Sequence, residues 1–217
     1  MKILILGATG RTGSLLLKEA IKQGYVINVL VCDKNKLQIN SPLLTVFEGT
    51  PADKEALLPA MQGCNAILST LNISRTSDFP WAPLRSPENL LSASMKNIIE
   101  LANQLNIKRV IITTAWGVNE TKKDLPGWFR WLIDHSNIGY PYRDHERQED
   151  LLKQSTLSWT IVRPVGLTNS VKHKAVQVSI NNSPKPGLTI SRQNVAHFMI
   201  KVLQEGSYVN EAPAVWG

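Results

Sequence analysis

The sequence predicts a doubly wound α/β fold, a parallel sheet with helices on both faces. Three observations predict it. Strand-like and helix-like segments alternate from one end of the chain to the other. The apolar run Ile3-Leu4-Ile5-Leu6 leads directly into the glycine-rich string Gly7-Ala8-Thr9-Gly10-Arg11-Thr12-Gly13. An apolar-periodic stretch, carried by Leu15, Leu16, Leu17, Ala20 and Ile21, follows that string at once.

Taken in order, residues 2–6 read as the first strand and 12–23 as the first helix. Val26 to Val31 is a β-branched run and Leu43 to Phe47 a short third strand. Asp53 to Met61 reads as a helix with Asp53 in its first turn, and Ala66 to Ser69 as the fourth strand. Asn89 to Leu105 is a long amphipathic helix, Arg109 to Thr114 an apolar fifth strand, and 141–155 a charged helix. Ser158 to Val162 is a sixth strand and Val195 to Leu203 a late helix. Two stretches break the rhythm: 72–88, rich in Pro and Ser, and 116–145, which holds Gly, Pro and many aromatics. Both follow strands, on the side where ligands bind in open α/β sheets.

The glycine string carries the most chemistry. Gly7 allows a tight turn out of the strand, Gly10 leaves room for a close approach of backbone to phosphate, and Gly13 lets the helix pack near the sheet. The helix N-terminus offers N–H groups and partial positive charge to a pyrophosphate. Thr9 and Thr12 add hydroxyls, and Arg11 adds a full charge. Thr70, Leu71 and Asn72, leaving the fourth strand, are expected beside the ribose of a bound dinucleotide.

Composition bounds the rest. The 217 residues suffice for one sizeable core and a single domain, with 72–88 and 116–145 as insertions on the substrate side. No apolar run approaches the roughly 18 residues that span a bilayer. The run after Lys2 breaks at Gly7, too short for a secretory h-region, so a cytoplasmic location and no membrane partner are expected. Cys32 and Cys64 form no CxxC, and His135, His145, His173 and His197 form no HxH or HxxxH pair; no metal site is expected. The net charge of +7 is spread along the chain, which argues for steering of anionic small molecules rather than for nucleic acid. A monomer or small homo-oligomer fits.

Four of the six tryptophans, Trp81, Trp116, Trp128 and Trp131, fall in the two insertions, with Phe79, Phe129, Tyr140 and Tyr142. Flat apolar side chains at the carboxyl ends of strands suit a planar substrate, with Trp81 and Trp116 as its cage. The same residues also serve to pack loops down or to meet a second subunit.

Asp33 stands 20 positions past Gly13, where a carboxylate reads the ribose hydroxyls, and that spacing alone leans to NAD. The chain from Gly7–Gly13 through Val31-Cys32-Asp33, His145-Glu146-Arg147-Gln148-Glu149, Trp159–Pro164 and Ile190-Ser191-Arg192 resembles the atypical short-chain dehydrogenases/reductases over essentially its whole length. It is most similar to their NmrA-like and biliverdin reductase B–flavin reductase-like members. That resemblance implies a Rossmann-like domain over 1–217 that binds NADP(H) in preference to NAD(H). In such proteins an arginine often stands at the position of Cys32 and grips the 2′-phosphate, followed by an aspartate like Asp33. Here the arginine is absent, and Arg11 and Lys36 are its candidate replacements. The resemblance also places Thr113 and Thr114 beside the nicotinamide, His145 near the cofactor, and the turn Pro164-Val165-Gly166-Leu167 along the nicotinamide. Thr113 and Thr114 equally suit the end of a strand, and His145 equally suits a surface charge cluster with Asp144, Glu146 and Arg147.

Ordinary short-chain dehydrogenases pair a tyrosine acid with a lysine four residues on; no YxxxK occurs here. A carbonyl substrate needs such an acid because charge builds on oxygen as hydride moves. A flavin takes hydride at a ring nitrogen. The leading expectation is therefore hydride transfer from NAD(P)H to a planar redox acceptor such as a flavin or quinone, with Thr114, His145 and Tyr142 as candidate catalytic residues. The alternative is a non-catalytic cofactor sensor that binds a protein partner. A third, weaker alternative is epimerase or dehydratase chemistry on a nucleotide sugar, which would need an acid–base pair for which the sequence shows no obvious candidate.

Overall fold

The computed structural model describes residues 1–171 and 174–217. His173, weighed above as a metal ligand, lies outside the described residues. The chain runs β1 (Lys2–Leu6), α1 (Gly13–Lys22), β2 (Val26–Val31), β3 (Leu44–Glu48), α2 (Lys54–Met61), β4 (Ala66–Ser69), α3 (Leu90–Gln104) and β5 (Arg109–Thr113). It continues with α4 (Gly127–His135), α5 (Gly139–Lys153), β6 (Ser158–Pro164), β7 (Gly166–Thr168), β8 (Gln177–Ser179), β9 (Thr189–Ser191), α6 (Arg192–Glu205) and β10 (Ala214–Trp216). The main sheet has the order β3-β2-β1-β4-β5-β6-β10-β8, parallel throughout except for the β10–β8 pair. A second, two-stranded sheet joins β7 to β9. This is the Rossmann-like doubly wound order, and its topological switch lies between β1 and β4.

Strand alternation sorts the core into two layers. Ile3 and Ile5 of β1 face the layer that holds Leu16, Leu17 and Ala20 of α1 with Val195, Met199 and Val202 of α6. Leu4 and Leu6 face Leu57 and Met61 of α2, Met95 and Ile98 of α3, and Leu152 of α5. Helices on both faces explain why the central strands are apolar on both sides.

Most expected elements appear within a few residues of their predicted ends. Asp53 is the N-cap of α2, its carboxylate accepting from Glu55 N at 3.0 Å. Two differences matter for the site. The stretch 116–145 is not a loop: it contains a 3₁₀ turn (Asn119–Asp124), α4 and the start of α5. Past β6 the chain adds four short strands that carry little periodic signal.

The charge cluster at 144–147 has a structural role that the sequence reading did not foresee. Asn89, the N-cap of α3, makes no side-chain cap bond. Asp144 of α5, fully buried, supplies the cap instead: it accepts from Leu91 N at 2.7 Å, Ser92 N at 3.3 Å and Ser92 Oγ at 2.6 Å. A carboxylate at a helix N-terminus both pairs orphan N–H groups and meets the positive end of the helix dipole. Asp144→Ala is expected to lower stability by about 2–3 kcal/mol, since it leaves buried donors unpaired, and Asp144→Asn by roughly half of that. Urea denaturation of the two variants checks the order.

Candidate functional site

A cleft of about 480 Å³ opens over the carboxyl ends of β1, β4, β5 and β6. Its floor begins at the glycine loop. Gly7 has φ +81°, and a Cβ there would stand 2.9 Å from Thr70 Oγ1. At Gly13 a Cβ would lie 2.0 Å from Gly7 O and 2.7 Å from Thr70 Oγ1, so only glycine lets α1 start this close to β1 and β4. Thr12 makes no side-chain cap bond and no acidic residue occupies the first turn of α1. That helix end is left for an anion, as a pyrophosphate-binding loop requires.

The cleft brings together Gly7, Thr9, Gly10, Arg11, Thr12, Cys32, Thr70, Leu71, Asn72, Thr113, Thr114, His145 and Pro164 among the residues expected from sequence. Gly13 supports the loop from below. Gly166 is exposed and bonds through its N–H to Leu188 O at 3.1 Å, outside the lining. Asp33 and Lys36 also stand outside it: Asp33 caps the 3₁₀ turn Lys34–Lys36 by accepting from Asn35 N at 3.0 Å, and Lys36 Nζ lies 3.7 Å from its carboxylate.

Other placements differ from expectation. Trp81 and Trp116 do not line the cleft and form no cage. The Trp81 Nε1–H donates to His135 O at 2.9 Å, tying the first insertion to the end of α4. Trp116 is buried beside a separate cavity of about 280 Å³, shared with Lys153, Trp159 and Arg163. Tyr142 packs edge-on to Phe129, its hydroxyl 3.5 Å from Trp116 O, and burial pushes its pKa up to about 12. It is outside the cleft lining and has the wrong acidity for a proton donor near neutral pH. The insertion aromatics instead form an exposed stripe: Phe79 against Trp81, then His135 stacked on Trp131, then Trp128, one turn further back on α4.

The far wall rests on a buried ion network. Arg163 of β6 donates through Nε to Glu149 Oε1 at 3.0 Å and through Nη2 to Glu149 Oε2, while Nη1 and Nη2 reach Glu120. Thr114 Oγ1 donates to Glu149 Oε1 at 2.8 Å, Asn119 Nδ2 donates to Oε2 at 3.0 Å, and Lys153 Nζ lies 3.3 Å away. Thr114 therefore stands in the cleft wall with its hydroxyl proton already directed at Glu149. His145, on α5 one turn before Glu149, is buried; its Nδ1 is 3.1 Å from Gln148 Oε1. Burial pulls its pKa down, against the opposing pull of Gln148, Glu149 and Asp144.

Sequence reading missed the part of the first insertion that folds over the cleft. Ile73, Ser74, Arg75, Ser77, Asp78 and Ser86 line it, as do Pro141, Leu167, Arg192 and Val195. Asp78 accepts from both Arg11 Nη1 and Nη2 at 3.1 Å. The only usable signal was charge: a lone Asp between arginines in a Pro- and Ser-rich stretch.

Residues 7–206 match the family described as NAD(P)H-binding. The chain belongs to that family. Reductase pytE of Aspergillus terreus is 22% identical over 254 residues, spanning 98% of this chain and 97% of its own. An oxidoreductase of Pestalotiopsis microspora is 25% identical over 77% of this chain and 68% of its own. Among solved structures, a short-chain dehydrogenase/reductase of Veillonella parvula in complex with NADP superposes with TM-score 0.81 at 19% identity, covering 100% of this chain and 94% of that one. ChuY, an anaerobillin reductase of Escherichia coli O157:H7, gives TM-score 0.82 at 18% identity, with 100% and 97% covered. Among the described residues no helix is long and apolar enough to cross a membrane, and no group of three His, Cys, Asp or Glu stands together to hold a metal ion.

Two outcomes follow from this geometry. Gly13→Ala is expected to abolish NAD(P)H binding in fluorescence titration, because the loop must open to admit the methyl group. In Glu149 burial raises the pKa, but the Arg163 hydrogen bonds and charge outweigh it and hold the folded-state value below that of the unfolded chain. A depressed carboxylate stabilises the fold above its unfolded pKa, near 4.3, and that contribution is lost as pH falls through the folded value. Thermal melts should therefore drop more steeply below about pH 4.5 in the wild type than in Glu149→Gln, and at neutral pH that variant should lose about 3 kcal/mol.

Proposed function

We propose that this chain is an NAD(P)H-dependent reductase that passes hydride to a planar acceptor such as a flavin or quinone. One observation carries the reading: among the described residues that line the cleft there is no tyrosine and no lysine, and the histidine there is buried with its Nδ1 against Gln148 Oε1. A carbonyl or sugar substrate would lack its proton donor, whereas a planar redox acceptor takes its proton from water. Bound nicotinamide would supply the hydride. The chain's own residues hold and orient. The glycine loop and the end of α1 take the pyrophosphate; Thr70, Leu71 and Asn72 run along the ribose; Thr113, Pro141, His145 and Pro164 form the wall against which the reacting rings stack.

The same reading favours NADP(H) over NAD(H), but with a changed assignment of the cation. Arg11 is held by Asp78 through two hydrogen bonds at 3.1 Å and Lys36 by Asp33 more loosely at 3.7 Å, so exposed Lys36, beside Cys32 and Asp33, is the better candidate for a 2′-phosphate.

A second reading, a cofactor sensor that binds a protein partner, draws support from the exposed stripe Phe79–Trp81–Trp131–Trp128. Association with a partner that changes between NADP+ and NADPH, without turnover of any acceptor, would favour it.

Steady-state oxidation of NADPH with FMN, riboflavin and menadione tests the leading proposal; tight cofactor binding without turnover of any of them would refute it. His145→Gln should change kcat by less than about tenfold, where loss of a general acid would cost 10²–10⁴-fold. Lys36→Ala should weaken NADPH several-fold and leave NADH unchanged; equal loss for both would remove the phosphate role.

A further inference from the structure

The cavity beside Trp116 shares no described lining residue with the cleft. Strand register explains why it exists. Arg163 of β6, Ala214 of β10 and Ser179 of β8 are direct neighbours across three strands, so their side chains leave the sheet on the same side. Arg163 meets Glu149 of α5 there. The next two places in the row carry only Ala214 and Ser179, which are too small to fill the space beyond α5. Trp116, Trp159, Asn210 and the turn Asn181-Asn182 enclose it. Its volume of about 280 Å³ is several times the roughly 30 Å³ of a liquid water and just under the roughly 300–1,000 Å³ of pockets for drug-sized ligands.

The walls hold polar atoms that the fold leaves unanswered. Among the described residues five buried side-chain N or O atoms have no hydrogen-bond partner, and three of them belong to this lining: Trp116 Nε1, Ser179 Oγ and Asn182 Oδ1. Trp116 is 8% exposed and Ser179 1%. Buried polar groups are ordinarily paired, so three orphans around one cavity call for an occupant. Ser179 and Asn182 reach the space by rotation about their own side-chain bonds. Asn182 has φ +61° in a tight turn closed by the backbone bonds between Ile180 and Ser183. Glycine is the usual residue for that conformation; asparagine keeps an amide in the wall.

Charge limits what enters. Arg163 is answered by Glu149 and Glu120, and Lys153 lies 3.3 and 3.9 Å from the same two carboxylates. Glu211 adds a further carboxylate to the lining, so no cation is left over for an anionic ligand. What remains is a mixture of donors and acceptors beside two indole rings. A hydroxyl both donates and accepts, so adjacent hydroxyls on one ring answer Trp116 Nε1–H, Ser179 and Asn182 together, while the C–H faces of that ring meet the indoles.

We infer that this cavity is a binding site, separate from the cleft, for a neutral polyhydroxylated ring of monosaccharide size. The site goes beyond the reductase reading and does not depend on it. It adjoins the cleft through one shared atom: Glu149 Oε1 accepts from Arg163 Nε at 3.0 Å on the cavity side and from Thr114 Oγ1 at 2.8 Å on the cleft side.

The test uses the full chain with saturating NADP+, which keeps the cleft occupied. Saturation-transfer-difference NMR screens D-glucose, D-galactose, D-mannose and myo-inositol against D-glucuronate, D-galacturonate, D-mannuronate and myo-inositol 1-phosphate, and calorimetry gives dissociation constants. The neutral member of at least one pair should bind at about 1 mM or tighter, and its anionic counterpart about tenfold more weakly. Ala212→Leu, which fills the space, should abolish that binding. Asn182→Gly, which suits the turn and removes the amide, should weaken it about tenfold. Both variants should bind NADP+ as the wild type does; if Ala212→Leu does not fold, Asn182→Gly decides alone. Absence of binding by every neutral member leaves the cavity to ordered water and overturns the inference. So does binding that NADP+ abolishes, which places the ligand in the cleft, preference for the anionic member of the pair, or an affinity that survives both substitutions.

Discussion

The buried pair between Arg163 and Glu149 is the interaction on which the far wall of the cleft depends. Arg163 is 2% exposed in the middle of a parallel sheet, and Glu149 is fully buried on the helix above it. Two ions withdrawn from water this far are tolerated only when every oxygen and N–H finds a partner. Glu120, Thr114, Asn119 and Lys153 provide those partners, and they come from three pieces of chain: the end of β5, the 3₁₀ turn and α5. The pair is therefore a positioning device as well as a stability term. It fixes α5 in rotation against β6, which sets His145 one turn away in the cleft wall, and it fixes the end of β5, which sets Thr113 and Thr114.

The opposite end of the cleft is built by a different constraint. At the glycine loop no side chain holds the geometry; the absence of side chains does. Gly7 O, Thr70 Oγ1 and the first residue of α1 converge within distances that any Cβ would violate. Between the two ends the first insertion is held to itself by Arg75, by Ser74 and Ser86 at 2.8 Å, and to the glycine loop by Asp78. The cleft thus has a rigid floor, a rigid far wall, and a cover held to α4 by the Trp81 and Asn137 hydrogen bonds and to the glycine loop by an exposed ion pair, the weakest kind of contact among them. Opening for ligand exchange would be concentrated there.

What was legible in the sequence follows the same division. The strands and helices of the sheet announce themselves through periodicity because both faces are buried, so β1 to β6 and α1 to α3 were placed nearly to the residue. The glycine loop was legible because its spacing encodes backbone geometry directly. The aromatics of the insertions misled for an understandable reason: Trp81 and Trp116 are near strand ends in sequence, but α4, whose apolar pattern was submerged in the aromatic richness of 116–145, draws Trp81 outward through the carbonyl of His135. Long-range polar partners left no local signal at all. Nothing in Asp144 announces that it caps a helix more than fifty residues earlier, and Arg163 reads as an ordinary strand-end charge until Glu149 is placed over it.

The chemistry open to the cleft follows from how α5 is used. Two of its titratable residues stand one helical turn apart. Here those two positions are His145 and Glu149. The carboxylate is saturated by Arg163, Thr114, Asn119 and Lys153, and the imidazole is buried, which lowers its pKa, with one nitrogen directed to Gln148. Neighbouring Asp144 is held by the N-terminus of α3. Each of these ionisable groups is thus part of the scaffold, and none is left to deliver a proton during the reaction. Under the proposed reductase function, a cleft whose ionisable groups are engaged in this way suits substrates that need no acid. The cleft wall carries Thr113, Pro141, His145 and Pro164, with no tyrosine among the described lining residues, and Arg11, Arg75 and Arg192 stand in the same lining.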